Sequence, residues 1–141
     1  MLEMVKIMKP VDLKLSIAWL VTAAGSSIFV AIQLFTYLNS RVSPDGGLPA
    51  IVFSPAQMLF VSAYYGCWVI PPLLALSNRT AARWSMLILG GLLVTLNTLS
   101  GVIDGIRDGY NLIAVAIIAI TVPGTLSIFL SWRDIRSRSA R

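Results

Sequence analysis

Histidine is absent from this chain of 141 residues, and cysteine occurs once, as Cys67. Without histidine, the chain lacks the usual axial ligand of haem, the commonest ligand of zinc and the usual general base of enzymes. A single cysteine cannot close a disulfide within the chain, which excludes redox chemistry by an internal cysteine pair. We therefore predict a protein that is not an enzyme and that carries no metal and no dedicated cofactor.

Charged residues are also scarce, at 12% of the chain, whereas ordinary soluble domains contain roughly 25%. Hydrophobic residues make up 57%. A soluble protein of this length would have to expose large contiguous apolar patches, which soluble proteins rarely do. The composition therefore predicts an integral membrane protein whose surroundings are the lipid bilayer.

Four windows of the sequence contain no charged residue: 15–38, 56–76, 84–103 and 112–132. Each has about 20 residues or more, enough for an α-helix to cross the hydrocarbon core of a bilayer. The alternation of apolar and polar residues that is typical of membrane strands is missing. We predict a single all-α transmembrane domain over residues 1–141, built as an antiparallel four-helix bundle.

The orientation is predicted from the lysines and arginines that flank these windows, because cytoplasmic segments carry an excess of them. One side of the membrane holds nine: Lys6, Lys9, Lys14, Arg79, Arg83, Arg133, Arg136, Arg138 and Arg141. The other side holds only Arg41 and Arg107. We predict an inner (cytoplasmic) membrane protein with both termini in the cytoplasm, and we attribute its net charge of +5 to topology rather than to nucleic-acid binding.

Arginines are concentrated in the C-terminal tail, at Arg133, Arg136, Arg138 and Arg141. Basic side chains near a bilayer surface attract anionic lipid headgroups, by about 1 kcal/mol per charge. These four residues are therefore predicted to contact anionic lipid. The alternative is that they only stop the last helix from moving further into the membrane.

Small residues recur at helical spacing in two of the windows. They are Ala23, Ser27 and Ala31 in the first window, and Gly90, Gly91 and Gly101 in the third. Such residues let membrane helices approach closely. We predict that they pack helices together within the bundle, with contact to a second protein as the alternative.

A few polar and aromatic residues fall at mid-membrane depth: Gln33, Tyr64, Tyr65, Trp68 and Asn97. Amides between membrane helices usually hold the helices together. A functional alternative places Gln33 and Asn97 in one polar pocket with the tyrosines. The aromatic rings could then stack on a lipid tail, a quinone or a pigment, or pack on a neighbouring subunit.

Proline interrupts the returning helix of each predicted hairpin, at Pro71-Pro72 and at Pro123-Gly124. Interruptions at corresponding places in two halves can mark a transport site with hinges. Proline is also common in membrane helices as a simple kink. Asp104, which follows the third window, is interpreted as part of a solvated turn.

No charged residue lies inside any window, although ion-coupled pumps normally need one. In size and span number the chain is similar to the small multidrug-resistance exporters, but the acidic residue of that family's first helix has no counterpart in the window 15–38. We predict a non-catalytic accessory or assembly subunit that packs against other membrane subunits or further copies of itself. The alternative is a small oligomeric transporter or channel for an uncharged or lipid-like molecule.

Overall fold

A computed structural model describes residues 10–40 and 53–139, and these residues are almost entirely helical, with no strand among them. The helices are α1 (Pro10–Ser40), α2 (Pro55–Gly66), α3 (Ile70–Ala75), α4 (Thr80–Asp108), α5 (Asn111–Ala116) and α6 (Val122–Ser139). A 3-10 turn, Cys67–Val69, joins α2 to α3, and a π-helical segment, Ile117–Thr121, joins α5 to α6.

Four stretches are long and apolar enough to cross a membrane: Asp12–Ser40, Pro55–Ala75, Thr80–Asp108 and Asn111–Arg138. We call them the first to fourth spans. Their number and order confirm the predicted all-α four-helix architecture. Helix α4 extends beyond the predicted window 84–103. It ends at Asp108, before Gly109, whose φ of 135° suits glycine. Asp104 therefore lies within α4, which corrects its interpretation as a turn residue.

The second span begins with strong local signals. The Ser54 hydroxyl accepts a hydrogen bond from the Gln57 N–H at 3.3 Å, and the Gln57 side chain accepts one from the Ser54 N–H at 2.9 Å. This reciprocal capping pairs two backbone donors that the start of a helix would otherwise leave without partners. Pro55 follows at the first helical position, where its missing N–H costs nothing.

The two helix irregularities coincide with the two proline positions noted in the sequence. Pro71 has no N–H to donate to the Cys67 carbonyl, which instead accepts from the Ile70 N–H in a 3-10 turn. Pro123 likewise cannot donate to the carbonyl of Ala119, four residues earlier, and the chain forms a π-helical segment there. The prolines thus account for both departures from α-helical geometry, while their action as hinges stays a prediction.

The first and fourth spans pack through small and polar residues. The Thr22 and Ser127 hydroxyls lie 3.0 Å apart, and the Trp19 indole N–H donates to the Ser131 hydroxyl at 3.0 Å. All four of these residues are buried. Polar pairs of this kind hold membrane helices together, because an unpaired hydroxyl between helices is costly.

The apolar core has two parts. The larger cluster surrounds Trp19 and Trp68, and the smaller one surrounds Phe29 and Ile120. The second span differs from the other three. Its C-terminal part, α3, packs against α1 and α4, whereas α2 packs mainly on the 3-10 turn that continues it and buries none of its residues against the rest of the described chain.

Candidate functional site

One end of the bundle collects most of the positive charge. At this end α1 and α4 begin and α3 and α6 end, and we call it the basic end. Six of the seven lysines and arginines in the described ranges belong to it: Lys14, Arg79, Arg83, Arg133, Arg136 and Arg138. The seventh, Arg107, lies near the opposite end of α4.

Four charged side chains meet inside the basic end, and we call them the ion cluster: Asp12, Arg83, Asp134 and Arg138. Asp12 and Arg83 are each only 1% exposed, and Asp134 is 8% exposed. Arg83 donates a short charge-assisted hydrogen bond to Asp12 through Nη2. The cluster joins the first, third and fourth spans. Of its four side chains, only that of Arg138 is half-buried, and the other three are buried.

Arg138 completes the cluster from the end of α6. Its Nη2 donates to Asp12 at 2.8 Å, and its Nε donates to Asp134 at 2.9 Å. Arg83 Nη1 stands 3.5 Å from the Asp134 carboxylate, and Arg83 Nε donates to the Ser77 carbonyl at 2.9 Å. Two arginines thus face two aspartates, so that the buried charges balance, as they must in a site of low dielectric constant.

The arginines of this cluster are among the residues that predict the orientation, but the role of Asp12 and Asp134 was not predicted from the sequence. The rule that predicts membrane orientation considers only lysine and arginine, because acidic residues contribute little to orientation. A signal was present: Asp12 and Asp134 each lie just outside an apolar window, on the same side of the membrane as Arg83. An acid placed beside an otherwise basic membrane flank indicates a side chain that has an ion partner in the bundle.

A second polar group lies deeper, where α2 leaves the bundle. Asn97 of α4 donates to the Tyr64 hydroxyl at 2.7 Å and to the Leu93 carbonyl at 3.1 Å. The Ser26 hydroxyl of α1 donates to the Asn97 side-chain oxygen at 3.4 Å. Both the amide nitrogen and the amide oxygen of this buried side chain therefore have partners within the chain, as expected of a residue that holds helices together.

No family model, no curated protein and no solved structure matches this chain. Its function must therefore be inferred from its own residues. Within the described ranges, no group of three or more histidine, cysteine, aspartate or glutamate side chains could hold a metal ion.

Gln33 does not share the group formed around Asn97. Its side-chain nitrogen donates to the Asp104 carboxylate at 2.5 Å, and the Ser100 hydroxyl donates to the same carboxylate oxygen at 3.3 Å. Gln33 and Asp104 are each seven residues, about two helical turns, beyond Ser26 and Asn97. The alternative of one shared polar pocket would need Gln33 and Asn97 together, whereas the structure places them in two separate layers of polar contacts between α1 and α4.

The three aromatic residues singled out at mid-membrane depth differ in how far they are buried. The rings of Tyr64 and Tyr65 pack edge to face, with their centroids 5.4 Å apart. Both tyrosines are half-buried, whereas Trp68 is buried in the larger core cluster. The Trp68 indole N–H has no hydrogen-bond partner among the described residues. Stacking of these rings on a lipid tail, a quinone or a pigment stays a prediction.

The small residues singled out in the sequence differ in how far they are buried. Gly90 is buried against the Trp19 ring, and Gly101 is buried against Ala116. A Cβ added to Gly91 would lie 4.0 Å from the Ile128 side chain. Ser27 and Ala31 are exposed, so they do not pack inside this chain. The packed ridge of α1 lies beside them and contains Thr22, Gly25, Ser26 and Phe29, while Ala23 is half-buried.

The remaining residues singled out in the sequence are the two proline positions and the arginines of the C-terminal tail. Pro71, Pro72 and Gly124 are buried and Pro123 is half-buried. A transport site at these positions stays a prediction. Arg133 and Arg136 are exposed at the basic end. Arg138 has its Nε and Nη2 committed to the ion cluster, and Arg141 lies outside the described residues.

Proposed function

We propose that this chain is a non-catalytic membrane subunit that associates with another membrane protein through α2. One observation carries the proposal: α2 supplies half of a membrane span, yet none of its 12 residues is buried. The other spans each bury a ridge of side chains within the bundle. Apart from the half-buried Tyr64 and Tyr65 near its C-terminal end, α2 is exposed and leaves most of its surface for a partner.

Apolar exposure alone does not distinguish a protein partner from lipid, since lipid tails are as apolar as leucine. The small residues of α2 favour a protein. Ser62 and Gly66 are exposed and lie four residues apart on one face, and a Cβ added to Gly66 would meet nothing within 4 Å in the described chain. Small residues at this spacing allow a second helix to approach closely. The exposed pair Ser27 and Ala31 on α1 has the same spacing.

The surrounding chemistry supports a structural role for the subunit. The buried charges are paired with one another, and the amide of Asn97 is satisfied within the chain. The four uncharged windows of the spans contain no aspartate, glutamate, lysine or arginine, the side chains through which ion-coupled pumps normally work. Paired buried charges and a buried amide with partners in the chain, beside a helix that buries none of its residues, favour a protein that binds another protein.

The proposal can be tested with a photo-reactive phenylalanine analogue at single positions. Phe60 of α2 is 74% exposed, and Ile118 of the fourth span is 72% exposed. We expect the analogue at position 60 to form a discrete adduct with a different membrane protein, because close packing holds the two helices together. At position 118, the matched control, we expect adducts with lipid only.

Two results would contradict the proposed role. If both positions yield lipid adducts alone, α2 faces lipid and has no protein partner. If position 60 yields only a dimer of this chain, the partner is a second copy, and the chain is a homo-oligomer rather than a subunit of a larger complex.

We further propose that the protein lies in the inner membrane with its basic end in the cytoplasm. The distribution of lysine and arginine at the two ends supports this orientation. We expect a reporter enzyme that is active only outside the cytoplasm to be inactive when fused after Arg141. The same reporter fused after Tyr110, in the turn between α4 and α5, is expected to be active. The reverse pattern of activities would refute the orientation.

A further inference from the structure

Two neighbouring hollows lie at the basic end between the start of α4 and the end of α6. The first is a cavity of about 110 Å³ lined by Thr80, Arg83, Ile135 and Arg138. The second is a more open groove of about 290 Å³ lined by Trp84, Trp132, Ile135 and Arg136. Since Ile135 lines both, the polar cavity and the aromatic groove are adjacent.

The cavity is rich in donors for an anion. Arg83 is almost fully buried, and its Nη1 makes no hydrogen bond within the described chain, although it stands 3.5 Å from the Asp134 carboxylate. The other nitrogens of Arg83 bind Asp12 and the Ser77 carbonyl. A planar guanidinium with an unused donor suits a phosphate oxygen. Thr80, whose side chain carries a hydroxyl donor, also lines the cavity.

The start of α4 strengthens this preference for an anion. Residue 79, which precedes the helix, makes no side-chain capping bond. The backbone N–H groups in the first turn of a helix have no partners within the helix, and the helix dipole places partial positive charge there. Phosphate groups bind at such helix starts for both reasons. The same turn of this 29-residue helix contains Thr80 and Arg83.

The adjoining groove has the character of the membrane interface. The Trp84 and Trp132 rings pack edge to face at 6.0 Å, and both remain about half exposed. Amphipathic indole rings prefer the level of the lipid headgroups. Arg136 lines the same groove and adds a positive charge beyond the balanced ion cluster.

We propose that these two hollows bind one anionic phospholipid. The phosphate occupies the cavity between Thr80, Arg83 and Arg138, and the glycerol and upper acyl chains lie in the groove between Trp84 and Trp132. A free phosphate ion would use the cavity alone, so the adjoining aromatic groove favours the lipid.

Native mass spectrometry of the whole protein in detergent tests the proposal. The protein is incubated with dioleoyl phosphatidylglycerol, with dioleoyl phosphatidylcholine or with inorganic phosphate. We expect the anionic lipid to be retained, the zwitterionic lipid with the same acyl chains to be lost, and inorganic phosphate at equal concentration not to displace the anionic lipid. Equal retention of both lipids, or full displacement by phosphate, would overturn the proposal.

Variants separate this site from general attraction to a basic surface. Thr80→Val leaves every ion pair of the cluster intact, and Arg138→Gln removes one positive charge from the cavity. Each is expected to weaken binding of phosphatidylglycerol by about tenfold, since each removes a bond to a charged group. Lys14→Gln removes the same charge from the basic end, on α1 and outside both hollows, and is expected to leave the affinity unchanged.

The comparison between these variants is decisive. Equal weakening by Lys14→Gln and Arg138→Gln would mean that the lipid responds only to the total charge of the basic end. Because Arg138→Gln also disturbs the ion cluster, Thr80→Val is the variant on which the site depends. Unchanged affinity in Thr80→Val would overturn the assignment of the cavity.

Discussion

Replacing Arg83 by leucine is expected to destabilise the protein by about 3–5 kcal/mol, because one buried charge would be removed and its partners left behind. Asp12 and Asp134 would then share the interior with only the half-buried Arg138 to balance them. The Ser77 carbonyl would also lose the donor that ties the link before α4 to the bundle. Unfolding in mixed micelles by titration with a denaturing detergent, followed by tryptophan fluorescence, measures the loss.

Two companion variants show whether the cost comes from the ion cluster. Arg79→Leu removes an exposed arginine four residues earlier and is expected to change the stability by less than about 1 kcal/mol. Asp12→Asn, added to Arg83→Leu, removes one of the stranded charges and is expected to recover part of the lost stability. Equal losses for Arg79→Leu and Arg83→Leu would show that the cluster contributes nothing particular to the fold.

Replacing Gly25 by alanine is expected to cost about 1–3 kcal/mol, because it forces an overpacked helix contact to open. A Cβ at this position would overlap the Ala119 carbonyl oxygen of the π-helical segment. Both sides of the contact are backbone, so that no change of rotamer can relieve it. Separation of the first and fourth spans would also weaken the hydrogen bonds between Thr22 and Ser127 and between Trp19 and Ser131.

Gly66→Ala is the matched control for this substitution. Gly66 also lies in a helical segment within a span, but an added Cβ would meet nothing within 4 Å in the described chain. Alanine there is expected to leave the stability of the isolated protein unchanged or slightly higher, since alanine favours the helix. The same detergent titration compares the two variants. A loss of stability in Gly66→Ala as large as that in Gly25→Ala would refute the backbone contact as the cause.

These two variants also illustrate what could be predicted from the sequence and what could not. The glycine and proline positions are visible in the sequence, and both prolines correctly marked departures from α-helical geometry. Pro123 leaves the Ala119 carbonyl without its α-helical donor, and this carbonyl lies against Gly25. That contact was not visible in the sequence, because it depends on how the first span is rotated against the fourth. The predicted ridge through Ser27 and Ala31 missed the packed face for the same reason.

A helix that is apolar on all sides gives little information about which side faces its neighbours, because the usual contrast between apolar and polar faces is absent. The first span is such a helix, and its packed ridge is distinguished mainly by small and hydroxyl-bearing residues. The amide partners show the same limit. Gln33 and Asn97 were both recognised as groups that need partners, but their bonding to Asp104 and Tyr64 follows from the relative heights of the helices.

The sequence by itself determined the all-helical class of this protein, since its long windows without charge lack the alternation of membrane strands, and helices then remain the structure that pairs every peptide group in lipid. That conclusion follows from local composition and needs no knowledge of which helix touches which. Tertiary structure alone decided the ion cluster and the uncovered α2. Asp12 pairs with Arg83, 71 residues away, and with Arg138, 126 residues away. The position of the two aspartates beside a basic flank indicates an ion partner, but which arginine pairs with which aspartate depends on the distance and direction between helices.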